Sequence, residues 1–242
     1  MSLGHRQISQ MLASLERVTF DYQGASHPFG IEPDQIGTLT WSVTAQVTTG
    51  AFDDDDWISA PDVGLNAVQD EGDESQSRSV FHMEGLTVDL WDADLFDALD
   101  AHSADTAHFL ALAEGEREAG GLNPELGDMI EGLGSQLVIV DRALVATAWR
   151  GLGGVGRLLA ASALHWIAAE AQCVAVHPFP FLLAGLERDD PQVVQALDGV
   201  RRTWQSIGFE RFRDDLYVFD PTSNKMDQEI ARLKATLAIG RR

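Results

Sequence analysis

A glycine-rich turn at residues 151–156 joins a strand-like segment to a helix-like segment. Residues 137–145 are mostly apolar and β-branched, broken only by Asp141 and Arg142, which predicts a strand. Residues 155–170 are rich in Ala and Leu at helical spacing, which predicts a helix. A strand, a glycine turn and a helix start bring backbone N–H groups and the positive helix end to one place, which is typical of a phosphate site. The alternative is a tight turn that binds nothing.

One phosphate-binding pattern that fits the turn is the dinucleotide fingerprint, matched by Gly151-x-Gly153-x-x-Gly156. That pattern expects the first glycine directly after a strand and an acidic residue at the end of the next strand. Here residues 146–150 intervene, and the next apolar run, 173–176, is followed by His177 and Pro178 rather than by an acid. A nicotinamide-dependent oxidoreductase is therefore the weaker alternative.

The second pattern is the acetyl-CoA loop of N-acetyltransferases, whose first positions match Arg150-x-x-Gly153. Leu158-Leu159 follows at the spacing that family shows, and Trp204-x-x-x-Gly208-Phe209 before the apolar run 216–219 matches its second signature. Over its C-terminal half the chain thus resembles the GNAT superfamily. It departs from the family pattern at Val155, where Gly or Ala is usual, and at Trp204, where many members carry Tyr.

The apolar runs 137–145 and 173–177, joined by the helix 155–170 of crossover length, predict a parallel strand pair within an α+β mixed sheet. The resemblance implies that this sheet and its flanking helices are GNAT-like. In that family the two strands splay apart, and the thioester of acetyl-CoA, or of another acyl-CoA, lies in the gap. The pantetheine amides would pair with backbone at 145–147, and the pyrophosphate would lie on the amides of 151–156. The cofactor-binding residues so implied are Val145, Ala146, Thr147, Arg150, Gly151, Leu152, Gly153, Gly154, Val155, Gly156 and Arg157.

The implied reaction moves an acetyl group to an unidentified amine of a small molecule or a protein, and the amine must lose a proton before it attacks. The candidate bases are Glu84 and His82 on the predicted strand 80–90, Asp141, and His177. Asp141 and His177 have the better position, because both predicted strands border the proposed cofactor gap. Each candidate also has a plain structural interpretation: solvent-facing side chains for Glu84 and His82, an exposed pair with Arg142 or a hairpin bend for Asp141, and a hydrogen-bonded core histidine for His177. The departures at Val155 and Trp204 keep a second hypothesis open, a relative that binds CoA or a partner without catalysis.

Composition narrows the partners. The formal net charge is −21 in 242 residues. Such a surface repels polyanions, so we expect no nucleic-acid partner and no membrane partner. Cys173 is the single cysteine, so an internal disulfide is excluded. Apolar runs too short to span a bilayer and the lack of a secretory leader pattern predict a cytoplasmic protein. A homodimer stays open, and no metal site is predicted.

The chain is predicted to form a single domain of four parts: an N-terminal helix and loop (1–35), a divergent acceptor-side half (36–135), an acyl-CoA-binding half (136–221) and a C-terminal helix (222–242). Patterning predicts strands at 38–49, 80–90 and 216–219, and helices at 8–18, 93–113, 191–207 and 224–238, of which 93–113 is expected to break near Ser103. It predicts a loop at 21–35, a loop or hairpin connection at 65–79, and a loop around at most one short helix at 115–134. The carboxylate run Asp53–Asp56 is predicted to be a solvated turn rather than a calcium loop.

Overall fold

The computed structural model describes residues 5–26, 37–49, 76–91, 95–102, 104–113, 121–183, 185–187 and 189–237. These residues form an α+β fold around a seven-stranded mixed sheet with strand order β1-β2-β3-β4-β5-β7-β6. The strands are β1 (Val18–Ser26), β2 (Thr38–Thr49), β3 (Gln76–Asp89), β4 (Gln136–Val145), β5 (Ala171–Val176), β6 (Glu210–Arg211) and β7 (Tyr217–Phe219).

Helices cover the two faces of the sheet unequally. The helices are α1 (His5–Ser14), α2 (Leu95–His102), α3 (Val155–Ile167), α4 (Pro191–Ser206) and α5 (Lys225–Thr236). Apolar side chains of α1, α3, α4 and α5 form one core with alternate residues of the sheet. On the opposite face, α2 and two 3₁₀ segments (Ala104–Leu112 and Pro124–Asp128) form the second core. The strands contribute side chains to both cores, because successive side chains along a strand point to opposite faces of the sheet.

The central strand pair is parallel, as predicted. Gln136–Val140 of β4 pairs with Ala171–Val176 of β5, and α3 makes the crossover between them. β5 ends at Val176, two residues before Pro178, which has no N–H to continue a ladder. β4 continues to Val145, and its residues 142–145 pair with β3. β4 and β5 therefore separate after Val140. Asp141 is the extra residue of a β-bulge at that point, since Glu84 pairs with Arg142 and Gly85 pairs with Val140.

The prediction of a loop at 21–35 is wrong for residues 21–26, which belong to β1. β1 pairs antiparallel with β2 from Val18↔Val47 to Ser26↔Leu39, so a full ladder outweighs the weak strand propensity of Gly24. The predicted helix 8–18 begins earlier, at His5, and gives way at Leu15–Arg17 to a 3₁₀ turn before β1. Residues 27–35 lie outside the described residues.

Most other elements lie where the pattern predicts them. β2 matches the predicted strand, α4 and α5 match the predicted helices closely, and β3 begins at Gln76 rather than Val80. The predicted helix 93–113 divides into α2 and a 3₁₀ segment on either side of residue 103. The carboxylate run Asp53–Asp56 and residues 65–75 lie outside the described residues. Within the described part of the chain, no helix is long and apolar enough to cross a membrane.

Candidate functional site

A cavity of about 290 Å³ lies between the end of β4, the start of α3 and one side of α4. This volume is near the lower end of the range for small-molecule sites. Apolar side chains make most of its wall, and the glycine turn forms its mouth. The residues that line it are Phe81, Ala143, Val145, Trp149, Arg150, Gly151, Leu152, Gly154, Val155, Gly156, Arg157, Ala160, Val200, Thr203 and Trp204.

The glycine turn needs its glycines for backbone reasons. Gly151, Gly153 and Gly154 have φ angles of 74°, 61° and 108°, a region that side chains with a Cβ rarely adopt. The first α-helical hydrogen bond runs from the Leu158 amide to the Gly154 carbonyl. The amide of Gly156 precedes that bond, so it belongs to the N–H groups that a helix start leaves for another acceptor. This arrangement suits an anion.

Close packing fixes the turn against β4. A Cβ added to Gly156 would lie 2.7 Å from Cγ2 of Val145, so only glycine permits this approach of α3 to the strand. Gly153, by contrast, does not line the cavity. Its Cβ position lies 3.4 Å from Cδ2 of Leu237, just after α5. The predicted role of Gly153 at a pyrophosphate stays a prediction.

Two arginines lie at the cavity, and both have a partner. Arg150 Nε donates to the Val145 carbonyl oxygen at 2.8 Å, and burial lowers the pKa of its guanidinium from the usual value. Arg157 Nη1 lies 3.6 Å from Oε1 of Glu229 on α5. The Glu229 side chain is only 11% exposed, and a hydrogen bond from Arg232 lowers its pKa. Glu229 therefore competes with any anion for Arg157.

Two other residues predicted to bind the cofactor, Ala146 and Thr147, do not line the cavity. The Ala146 amide donates to the Val80 carbonyl at 2.9 Å, and the Thr147 carbonyl accepts from the Arg150 amide at 3.2 Å. Their backbone groups are thus committed to β3 and to the turn itself. Trp204 is a buried wall of the cavity, with its ring 5.1 Å from that of Phe209 in an edge-to-face contact.

Glu84 and His82 lie together on the opposite face of the sheet. Phe81 and Met83 of β3 are buried in the α3-side core, so His82 and Glu84 alternate to the other side. There His82 Nδ1 is 3.2 Å from the Thr44 hydroxyl, and His82 Nε2 is 3.3 Å from Glu84 Oε2. The hydrogen bond with His82 holds the pKa of Glu84 below its usual range, against the effect of burial.

Arg142 joins this group from β4. Its Nε lies 3.6 Å from Glu84 Oε1, and its guanidinium carbon is 5.0 Å from the centre of the Phe181 ring. Asp141, at the bulge, lines a neighbouring polar hollow of about 540 Å³. The residues around the hollow are Gln23, Gly24, Thr40, Trp41, Ser42, Glu84, Gly85 and Asp141.

The remaining candidate base is His177. It follows β5 and stacks on His108, with ring centres 4.2 Å apart and planes at 11°. Sequence reasoning missed Thr44, His108 and Arg142 as site residues. Thr44 and Arg142 reach the site through cross-strand register, and no local pattern carries that signal.

Comparisons of the chain with protein-family models, with curated proteins and with solved structures find no match. Among the described residues, no group of three or more His, Cys, Asp or Glu side chains is placed to hold a metal ion.

Proposed function

We propose that the protein is an acyl-CoA-dependent N-acetyltransferase of the GNAT type. The observation that carries the proposal is the cavity at the glycine turn, which lies beside residues 143–145 of β4, past the last pairing of β4 with β5 at Val140. A long thioester cofactor with several phosphate groups requires an anion-binding turn next to an opening in the sheet, and the glycine turn adjoins such an opening.

The residues present fit acyl-CoA at both ends. Amides of the turn, the start of α3, and the guanidinium groups of Arg150 and Arg157 are suited to the pyrophosphate. The apolar wall formed by Phe81, Val200 and Trp204 suits the pantetheine chain. Since Val145 O already accepts from Arg150, pairing of pantetheine amides with β4 falls on 141–144 or displaces that side chain.

A nicotinamide dinucleotide fits less well. The residues that follow β5 are His177 and Pro178, so no carboxylate stands there to receive the ribose hydroxyls. The described sheet also contains a single parallel pair, β4 with β5, whereas a doubly wound sheet repeats such units.

A second candidate, a CoA-binding protein without turnover, is favoured by Trp204. An indole N–H does not dissociate at usable pH, so this residue cannot protonate the leaving thiolate as a Tyr can. The two candidates share the binding site and differ only in chemistry. Release of free thiol from acetyl-CoA in the presence of amines separates them.

The cavity is tested with a pair of substitutions on one helix. Thr203 and Gln205 are both exposed on α4, and only Thr203 lines the cavity. Thr203→Trp should fill the cavity and weaken CoA binding at least tenfold by isothermal titration, while Gln205→Trp should leave the affinity unchanged. Equal affinity in both variants, with unchanged melting temperatures, means that CoA does not occupy this cavity.

A further inference from the structure

We propose that the polar hollow on the far face of the sheet is the acceptor site, that it takes a small primary amine bearing hydroxyl groups, and that His82 receives the proton of that amine. The inference rests on the proposed acetyl transfer and adds the acceptor, its location and the proton path. The acyl-CoA cavity and the hollow would then be on opposite faces, and the acetyl group would be presented through the gap between β4 and β5.

The hollow meets the gap at one place in the sheet. Asp141 lines the hollow and is also the bulged residue just past Val140, where pairing with β5 stops. Glu84, opposite Arg142 in the β3–β4 ladder, lies one strand away. Neighbouring strands are about 4.8 Å apart, so Glu84 lies one strand spacing from β4, whose other edge borders the gap.

The two ends of the hollow differ in their side chains. Glu84 and Asp141 stand at the β3–β4 end, where Arg142 is 3.6 Å from Glu84. Gln23, Thr40 and Ser42 stand toward β1 and β2, where Gln23 donates to Asp21 at 3.4 Å. An ammonium fits between carboxylates, and a hydroxylated tail fits side chains that donate and accept hydrogen bonds. The volume of about 540 Å³ suits a small molecule rather than a long chain.

The proton path follows the His82 contacts. With an ammonium on Glu84, His82 carries its own proton on Nδ1 and donates it to the Thr44 hydroxyl, so the lone pair of Nε2 accepts one proton from the ammonium. The imidazolium so formed then donates from Nε2 to Glu84. The free amine then attacks the thioester carbonyl, so a C–N bond forms and the C–S bond breaks. The second nitrogen proton leaves with the thiolate as free CoA thiol. The products are an acetamide, CoA and one proton held on His82.

Amine titrations test the site directly. Glucosamine, n-hexylamine and spermidine are titrated by calorimetry into the protein with and without CoA. Glucosamine should bind at least tenfold more tightly than n-hexylamine and more tightly than spermidine, because neither of these two amines offers hydroxyl groups to Gln23, Thr40 and Ser42. Preference for n-hexylamine or spermidine, or no binding by any of the three, overturns the acceptor assignment. CoA binding is read separately. Absence of CoA binding refutes the proposed function and this inference with it, whereas CoA binding without amine binding refutes the acceptor site alone.

Substitutions locate the amine. Ser42→Val removes a hydroxyl from the floor of the hollow, and Thr19→Val makes a matched change on an exposed β1 position outside it. Ser42→Val should weaken glucosamine binding about tenfold with CoA affinity intact, which also shows that the variant is folded. Thr19→Val should change neither affinity. Equal glucosamine binding by both variants places the amine elsewhere.

His82→Gln tests the proton path through a pH profile. The charged groups on the faces around His82 are Glu84 on its own strand, Arg142 on β4, and Asp21, which pairs with Thr44 in the β1–β2 ladder. The acid limb of kcat/KM should be lost in His82→Gln, with kcat lowered about 10²-fold or more and KM for glucosamine little changed. An unchanged acid limb, or a loss confined to KM, assigns the proton to another group.

Discussion

Gly156→Ala is the substitution for which the structure gives the sharpest expectation. The added Cβ would lie 2.7 Å from Val145 Cγ2, whereas carbon atoms in contact are about 3.5–4.0 Å apart. About 1 Å must therefore open between α3 and β4. The neighbour is a β-branched side chain on a strand, which has few rotamers to escape into.

The expected change in the free energy of unfolding combines two opposing terms. Overpacking costs about 1–3 kcal/mol, while replacing Gly by Ala in a helix gains up to about 1 kcal/mol. Gly199→Ala on α4 supplies the control, because a Cβ there meets nothing within 4 Å. Gly199→Ala should stabilise by about 0.5–1 kcal/mol, and Gly156→Ala should be less stable than this control by about 1–3 kcal/mol.

Urea unfolding of both variants measures the difference, and a second substitution tests its cause. Val145→Ala removes the clashing methyl, so the double variant with Gly156→Ala should be more stable than the sum of the two single changes predicts. Strict additivity, or a Gly156→Ala variant as stable as the Gly199→Ala control, would refute the tight approach of α3 to β4.

Further expectations concern charge, acidity and burial. Glu229→Gln should release Arg157 and raise CoA affinity several-fold at low salt in isothermal titration; an unchanged affinity would mean that Arg157 does not face the phosphates. Asp141→Asn should leave CoA affinity unaltered, and a large loss would place that side chain at the cofactor. The pKa of Glu84 is lower in the folded state, so this carboxylate stabilises the fold above about pH 4.3, its unfolded pKa, and the stabilisation is lost as pH falls through the folded pKa. In urea unfolding measured across pH, the free energy of unfolding of Glu84→Gln should therefore fall less steeply at acid pH than that of the unsubstituted protein. Identical pH dependence of the two proteins would exclude this contribution. Cys173 is fully buried, and burial raises the pKa of its thiol to about 12, so a thiol reagent should label it only on unfolding; rapid labelling of the native protein would contradict its place in β5.

The central unit could be predicted because its signals are local. A β-branched run, a glycine turn and an amphipathic run fix β4, the turn and α3 without reference to the rest of the chain. The parallel pairing with β5 follows from the length of the crossover. Each of these elements carries its own periodicity, so short windows of sequence suffice.

What could not be predicted depends on partners distant in sequence. β1 is a strand because β2 pairs along its whole length, and its own residues, with Gly24 among them, give no clear strand pattern. The contact of Thr44 with His82 depends on the β2–β3 register, and that of Arg157 with Glu229 on where α5 docks. No window of sequence contains both members of either pair.

Calorimetric titration of acetyl-CoA and of NADH into the same protein sample tests whether the glycine turn binds the phosphates of acyl-CoA. We expect acetyl-CoA to bind at one site per chain and NADH to give no heat. Saturable binding of NADH, together with no binding of acetyl-CoA, would refute phosphate binding of acyl-CoA at the turn and favour the dinucleotide interpretation of the same glycines.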